Sequence, residues 1–141
     1  MPPIEFWLQS ERVCLLNTHI LSLNFDYLLK KNNIIMGDGV AIKISDSIGV
    51  SDRYLVKEIM QFAKQNDILL QPEVSDCGTS EMIMVNENDK GSRTVGISIP
   101  CQSIHTANTI VNKLDYYAYK KLLKVLFMNL SNIVDWKGEN I

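Results

Sequence analysis

Three observations predict a layered α/β domain. Apolar residues recur at the two-residue period of extended chain around 40–45 and 94–99. After Ser51, and again from Leu114, the period lengthens to that of an amphipathic helix. The two kinds of segment alternate along the chain, the order that stacks helices against a sheet. The 141 residues, 46% hydrophobic and 21% charged, suit one compact globular domain.

Residues 12–23, RVCLLNTHILSL, are rich in Leu and β-branched residues and predict a first strand covered on both faces. NFDYLLKKNN is polar with short apolar interruptions and reads as a connection. Gly37 and Gly39 then mark a turn, and Val40, Ile42 and Ile44 share one face of a second strand over 40–45. Leu55, Ile59, Phe62 and Ala63 fall at helical spacing, with Ser51 or Asp52 as the N-cap. DILLQPEVS supplies a short strand that Pro72 assigns to an edge. SEMIMV fits a helical turn or a strand. TVGISIP is an apolar strand that Pro100 should end, and a long helix from Leu114 closes the chain with Leu114, Ala118, Leu122, Val125 and Leu126 inward. No internal repeat or low-complexity tract interrupts this order.

Composition excludes several function classes. Fourteen Lys and Arg against sixteen Asp and Glu leave a net charge of −2, without the basic stripe that phosphate neutralisation requires, so no nucleic-acid partner is expected. The Lys30–Lys31 and Lys120–Lys121 pairs read as solvated surface. Cys14, Cys77 and Cys101 are odd in number and widely spaced, as expected of reduced thiols in the cytoplasm. The first residues lack the pattern of a secretion signal, and no apolar run is long enough for a membrane span, so no membrane partner is expected.

The chemistry centres on His105, five residues past Pro100 and just beyond an apolar strand, where functional groups of an α/β sheet gather. Cys101 and His105 have a spacing compatible with metal ligation, Cys77 could join them, and His19 shares a strand face with Asn17 by the two-residue period. The bland alternative for each is a surface histidine or a packed thiol. MGDGVAIK precedes a strand, so it is not a phosphate loop. GTSEM lacks the second glycine of a serine-nucleophile elbow. No pair of carboxylates is brought together by spacing alone.

The order of segments carries more. MGDGVAIKISDSIGVSDRYLVKEIMQFAKQNDILLQPEV, then CGTSEM, then TVGISIPCQSIHTANTIVNKLDYYAYKKLL, resembles the carboxyl-terminal part of the tetrahedral and glutamyl aminopeptidases, relatives often labelled endoglucanase or cellulase M. Those sequences run Leu-Gly-x-Gly-Pro, a strand, a helix, Gly-Gly-Gly-Thr-Asp-Ala, and a strand ending Val-Pro-x-Arg-Tyr-Ile-His-Ser. The resemblance covers about residues 12–130. It implies a layered α/β/α fold with a mixed sheet, a dinuclear zinc or cobalt site, and removal of amino-terminal residues from peptides.

By the same match His105 takes the position of the family's last metal ligand. A gap-free alignment back from Met36 puts Asn17 where a ligand Asp stands, with His19 as a possible substitute donor. Ser80, Gln102 and Asn112 replace an Asp, an Arg and an Asp of the family pattern. A neutral Asn carbonyl lacks the charge that a zinc pair draws on. The family's first histidine, bridging aspartate, general-base glutamate and neighbouring glutamate ligand precede the matched region, and its inserted oligomerisation domain has no counterpart. The resemblance therefore implies one partial catalytic-domain-like unit over 1–141 that is inactive on its own. An alternative is a non-catalytic binding or assembly module derived from that family. Either would associate with copies of itself or with a full-length family member, because an open apolar sheet edge invites pairing.

Overall fold

The computed structural model describes residues 11–16, 19–27, 34–75, 93–103 and 107–129, with side chains described from residue 34 onward. Its strands are β1 (Glu11–Leu16), β2 (His19–Tyr27), β3 (Val40–Ser45), β4 (Leu70–Val74), β5 (Arg93–Gln102) and β6 (Ile110–Val111); α1 (Arg53–Gln65) lies between β3 and β4, and α2 (Lys113–Met128) follows β6. The main sheet runs β1-β2-β5-β3-β4, with β6 paired to the end of β5. β2 and β5 are parallel, as are β3 and β4, while β5 and β3 are antiparallel. This is the mixed-sheet α/β architecture that the sequence predicts.

Two expectations change. The first strand is a pair: β1 and β2 form an antiparallel ladder from Glu11↔Asn24 to Leu16↔His19. The polar NFDY that reads as a connection completes β2, because its partner β5 supplies backbone hydrogen bonds whatever the side chains prefer. Pro100 does not end β5 either. The strand continues to Gln102, pairing with β2 through Tyr27↔Cys101 and with β6 through Gln102↔Ile110. The ladder to β3 extends only to Ser98, so Pro100 lies beyond the stretch where β5 is flanked by β3.

α1 begins where expected. Asp52 accepts from the Tyr54 and Leu55 amides, satisfying two of the free N–H groups of the first turn. Its inner stripe of Val56, Ile59 and Ala63 meets Val40 and Ile42 of β3, Val95 and Ile97 of β5, and Leu122 and Leu126 of α2. Leu55, Phe62, Ala118 and Val125 pack around this cluster. Leu114, predicted inward, is exposed instead, and Asp115 is the buried residue of the first turn of α2. Both described helices thus cover the face carrying Ile42 and Ile97. The alternate residues Ala41, Lys43, Thr94 and Ser98 are also buried, on the other face.

Pro72 lies on β4, the last strand on one side of the described sheet. The SEMIMV segment and Lys30–Lys31 lie outside the described residues. Lys120 and Lys121 are exposed, and Lys121 donates to the carbonyls of Asn66 and Asp67 at the end of α1. Tyr116 and Tyr117 are exposed on α2 while Tyr119 packs against the core, which suits a helix surface better than a substrate platform.

Candidate functional site

The site is built at the carboxyl ends of β2 and β5. These strands run parallel from His19↔Arg93 to Tyr27↔Cys101, so the chain leaves both at one rim of the sheet. Asp26 lies opposite Pro100. After Gln102 the chain turns back through residues 103–109 into β6, and the Thr109 hydroxyl donates to the Ser103 carbonyl across the base of that connection. Ser103 has a φ of 61°, a left-handed conformation at the point where the strand gives way to the connection. His105 belongs to this connection, and its own placement lies outside the described residues.

The amino end of β3 reaches the same rim because it is antiparallel to β5, with Ala41 opposite Ser98. The turn before it is held from two sides. Gln71 of β4 accepts from the Ile35 amide and donates to the carbonyls of Ile35 and Gly39. Asp115 of α2 accepts from the amides of Gly37 and Gly39, both at 2.8 Å. The turn needs glycine: Gly37 and Gly39 have φ of 106° and 101°, and a Cβ on Gly39 would run into the Leu69 carbonyl.

The remaining sequence candidates that the structure describes do not all meet at this rim. Asn17 falls between β1 and β2, outside the described residues, as do Ser80 and Cys77. His19 is at the amino end of β2, opposite Arg93, eight residues and roughly 26 Å of extended chain from Tyr27. It does not share the rim from which His105 follows. Cys101 is a buried cysteine at the rim, in no disulfide. Gln102 is exposed. Asn112 caps α2 by accepting from the Leu114 amide, a task Asp performs equally well, so this departure leaves the local fold intact. No group of three His, Cys, Asp or Glu able to hold a metal occurs among the described residues.

The sequence does not single out Asp26 as a rim residue, because NFDY reads as a connection. The signal was the alternation of HILSLNF running directly into an acidic residue, a strand that ends in a carboxylate. Sequence reading also missed Asp115, whose role depends on two glycine amides more than seventy residues away.

Comparison with known proteins places this geometry. Among solved structures, aminopeptidase APDkam598 from the archaeon Desulfurococcus kamchatkensis superposes with a TM-score of 0.73 at 23% identity, over 86% of this chain and 37% of that one. The Pyrococcus horikoshii TET1 peptidase, described as assembling into a tetrahedron or a large octahedral shell, gives 0.64 at 20% identity, over 75% and 32%. A Thermotoga maritima protein labelled endoglucanase gives 0.55 at 26% identity, also over 75% and 32%. The chain thus spans about a third of the length of each. The family description M42 glutamyl aminopeptidase matches residues 16–122, most of the sequence, and the chain belongs to that family.

Proposed function

We propose that this chain supplies one rim of a metallo-aminopeptidase site, with Asp26 and His105 as its metal-binding positions. The parallel register of β2 and β5 carries the reading, because it sets Asp26 opposite Pro100 on the strand that leads to His105. His19 is at the other end of β2, and in this reading neither it nor Asn17 supplies a ligand. A carboxylate and an imidazole are donors that zinc and cobalt both accept, so the pair suits the metal implied by the family, as part of a site.

A bound divalent ion would polarise the scissile carbonyl and lower the pKa of an attacking water. This chain's part is to orient one carboxylate and one imidazole. The Asp, His and Glu groups that the resemblance assigns to the rest of the site have no matched position in these 141 residues, so the chain alone does not hydrolyse peptides. Turnover requires those groups from another segment or subunit. Partner association, with a second copy or a full-length family member, follows from the same incompleteness and from the assemblies described for the TET1 peptidase.

Cobalt titration followed by visible absorption tests the reading, on wild type and on the Asp26→Ala, His105→Ala, Asn17→Ala and His19→Ala variants. Binding that is lost with Asp26→Ala or His105→Ala and retained with the other two is expected. No cobalt signal in the wild type, or binding that depends on His19, would overturn it. Release of nitroaniline from aminoacyl substrates by the chain alone, with zinc or cobalt added, would overturn the proposed dependence on other groups.

A further inference from the structure

We propose that the bond between Asp38 and Gly39 is a latent site of isoaspartate formation, held closed in the folded chain by the Asp115 carboxylate. Nothing in this depends on metal binding at the rim. Asp38 and Gly39 form the only Asp-Gly pair in the sequence, and no Asn-Gly pair occurs. Glycine is the follower that hinders the reaction least, because no side chain crowds the attacking amide. The Gly39 nitrogen attacks the side-chain carboxyl carbon of Asp38: an N–C bond forms, a C–O bond breaks, and the amide proton and the carboxyl hydroxyl leave as water. Water then reopens the ring at either carbonyl. Attack on the side-chain carbonyl restores aspartate, and attack on the main-chain carbonyl leaves the backbone running through the side chain, as isoaspartate. Water is the only co-reactant.

One reactant is ready and the other is not. Asp38 is exposed on the turn, and no partner among the described residues holds its carboxyl group. Gly39 is buried, and its amide donates to Asp115 Oδ1 at 2.8 Å. To attack, that nitrogen must shed its proton and swing toward the Asp38 side chain. Shedding the proton builds negative charge beside a buried carboxylate, and swinging away breaks a charge-assisted hydrogen bond. Rotation of the peptide is opposed from the other side as well. The Gly39 carbonyl accepts from the Gln71 side chain, and the next amide, that of Val40, donates to the Leu69 carbonyl.

The fold does not allow the reactive pair to be avoided at its second member. The φ of 101° and the Leu69 carbonyl in the path of a Cβ both demand glycine at 39. Asp115 therefore protects a bond next to which the turn obliges the chain to keep its least hindered residue. Once the bond has rearranged, the native turn cannot re-form. The Gly37 and Gly39 amides reach the two oxygens of one carboxylate. Isoaspartate at 38 adds a backbone carbon between those amides, so both can no longer be seated on Asp115. The product is a turn that stays open ahead of β3.

Prolonged incubation of the full chain near neutral pH, followed by methyl transfer from S-adenosylmethionine with an isoaspartyl methyltransferase and peptide separation, tests this. Wild type is compared folded and unfolded in guanidinium chloride, beside folded Asp115→Ala and Ile97→Val. Asp38→Glu, in which the five-membered ring cannot form, identifies the signal. Isoaspartate at 38 should accumulate in the unfolded chain and about tenfold or more slowly in folded wild type, because attack there waits for local opening. Asp115→Ala should recover most of that difference, and Ile97→Val, which lowers stability through the core alone, should not. An unfolded chain without isoaspartate at 38 overturns the latent site. Folded wild type that keeps pace with the unfolded chain overturns its closure. An Asp115→Ala rate equal to that of folded wild type, or matched by Ile97→Val, overturns the part given to Asp115. If Asp115→Ala does not fold, Gln71→Ala, which releases the Gly39 carbonyl, takes its place in the same comparison.

Discussion

Lys43 on β3 and Glu73 on β4 lie opposite each other across the parallel ladder, with the ammonium 3.3 Å from a carboxylate oxygen and both side chains buried. The pair sits on the face opposite the two described helices. Gly96 of β5 makes room for it, since a Cβ there would lie 3.0 Å from that of Lys43. Removing one member takes an ion-pair partner from a buried charge in a low dielectric, so Lys43→Met alone destabilises the fold by about 3 kcal/mol. Lys43→Met with Glu73→Leu recovers most of that loss. Chemical denaturation of the two variants checks both outcomes.

Gly39→Ala costs at least about 2 kcal/mol. The residue has a left-handed φ, and the added carbon meets the Leu69 carbonyl, which is held by the Val40 amide. A thermal unfolding scan checks this, with Gly37→Ala as the milder comparison because its Cβ would meet only the movable Asn112 amide.

Asp52→Ala costs about 1 kcal/mol through loss of the α1 cap. The same carboxylate lies 3.5 Å from Arg93 at the start of β5, so salt has a smaller effect on the variant's melting temperature than on that of the wild type. Melting curves at low and high ionic strength separate the two contributions.

Light scattering coupled to size exclusion should find a dimer or larger species. The expectation follows from the proposed function, in which a second copy or a family member supplies groups that this chain does not. A well-folded chain that stays strictly monomeric at high concentration would refute this.

Local chemistry was legible in the sequence where it acts locally. The Asp52 cap, the α1 stripe and the strand around Ile42 follow from spacing alone, because periodicity and capping are decided within a few residues. The extent of β2 and β5 was not legible. It depends on their pairing, which overrides the polar NFDY and the break expected at Pro100. The place of Asp26 at the end of β2 is hidden with it, because NFDY reads as a connection. Asp115 was hidden differently: its helical position predicts a neighbour of the inward Leu114, whereas the buried glycine amides draw in the carboxylate and turn Leu114 outward.

The central place of β5 has a consequence for synthesis of the chain. β2 and β3, separated by residues 28–39, have no mutual ladder in the described sheet and share β5 as partner. Residues up to Val74 emerge from the ribosome ahead of 93–102, so β2 and β3 cannot be joined through β5 until that strand follows. Closure waits for residues 93–102 to slot between them, a late, long-range step that slows folding and makes a nascent chain stalled before Arg93 a substrate for chaperones.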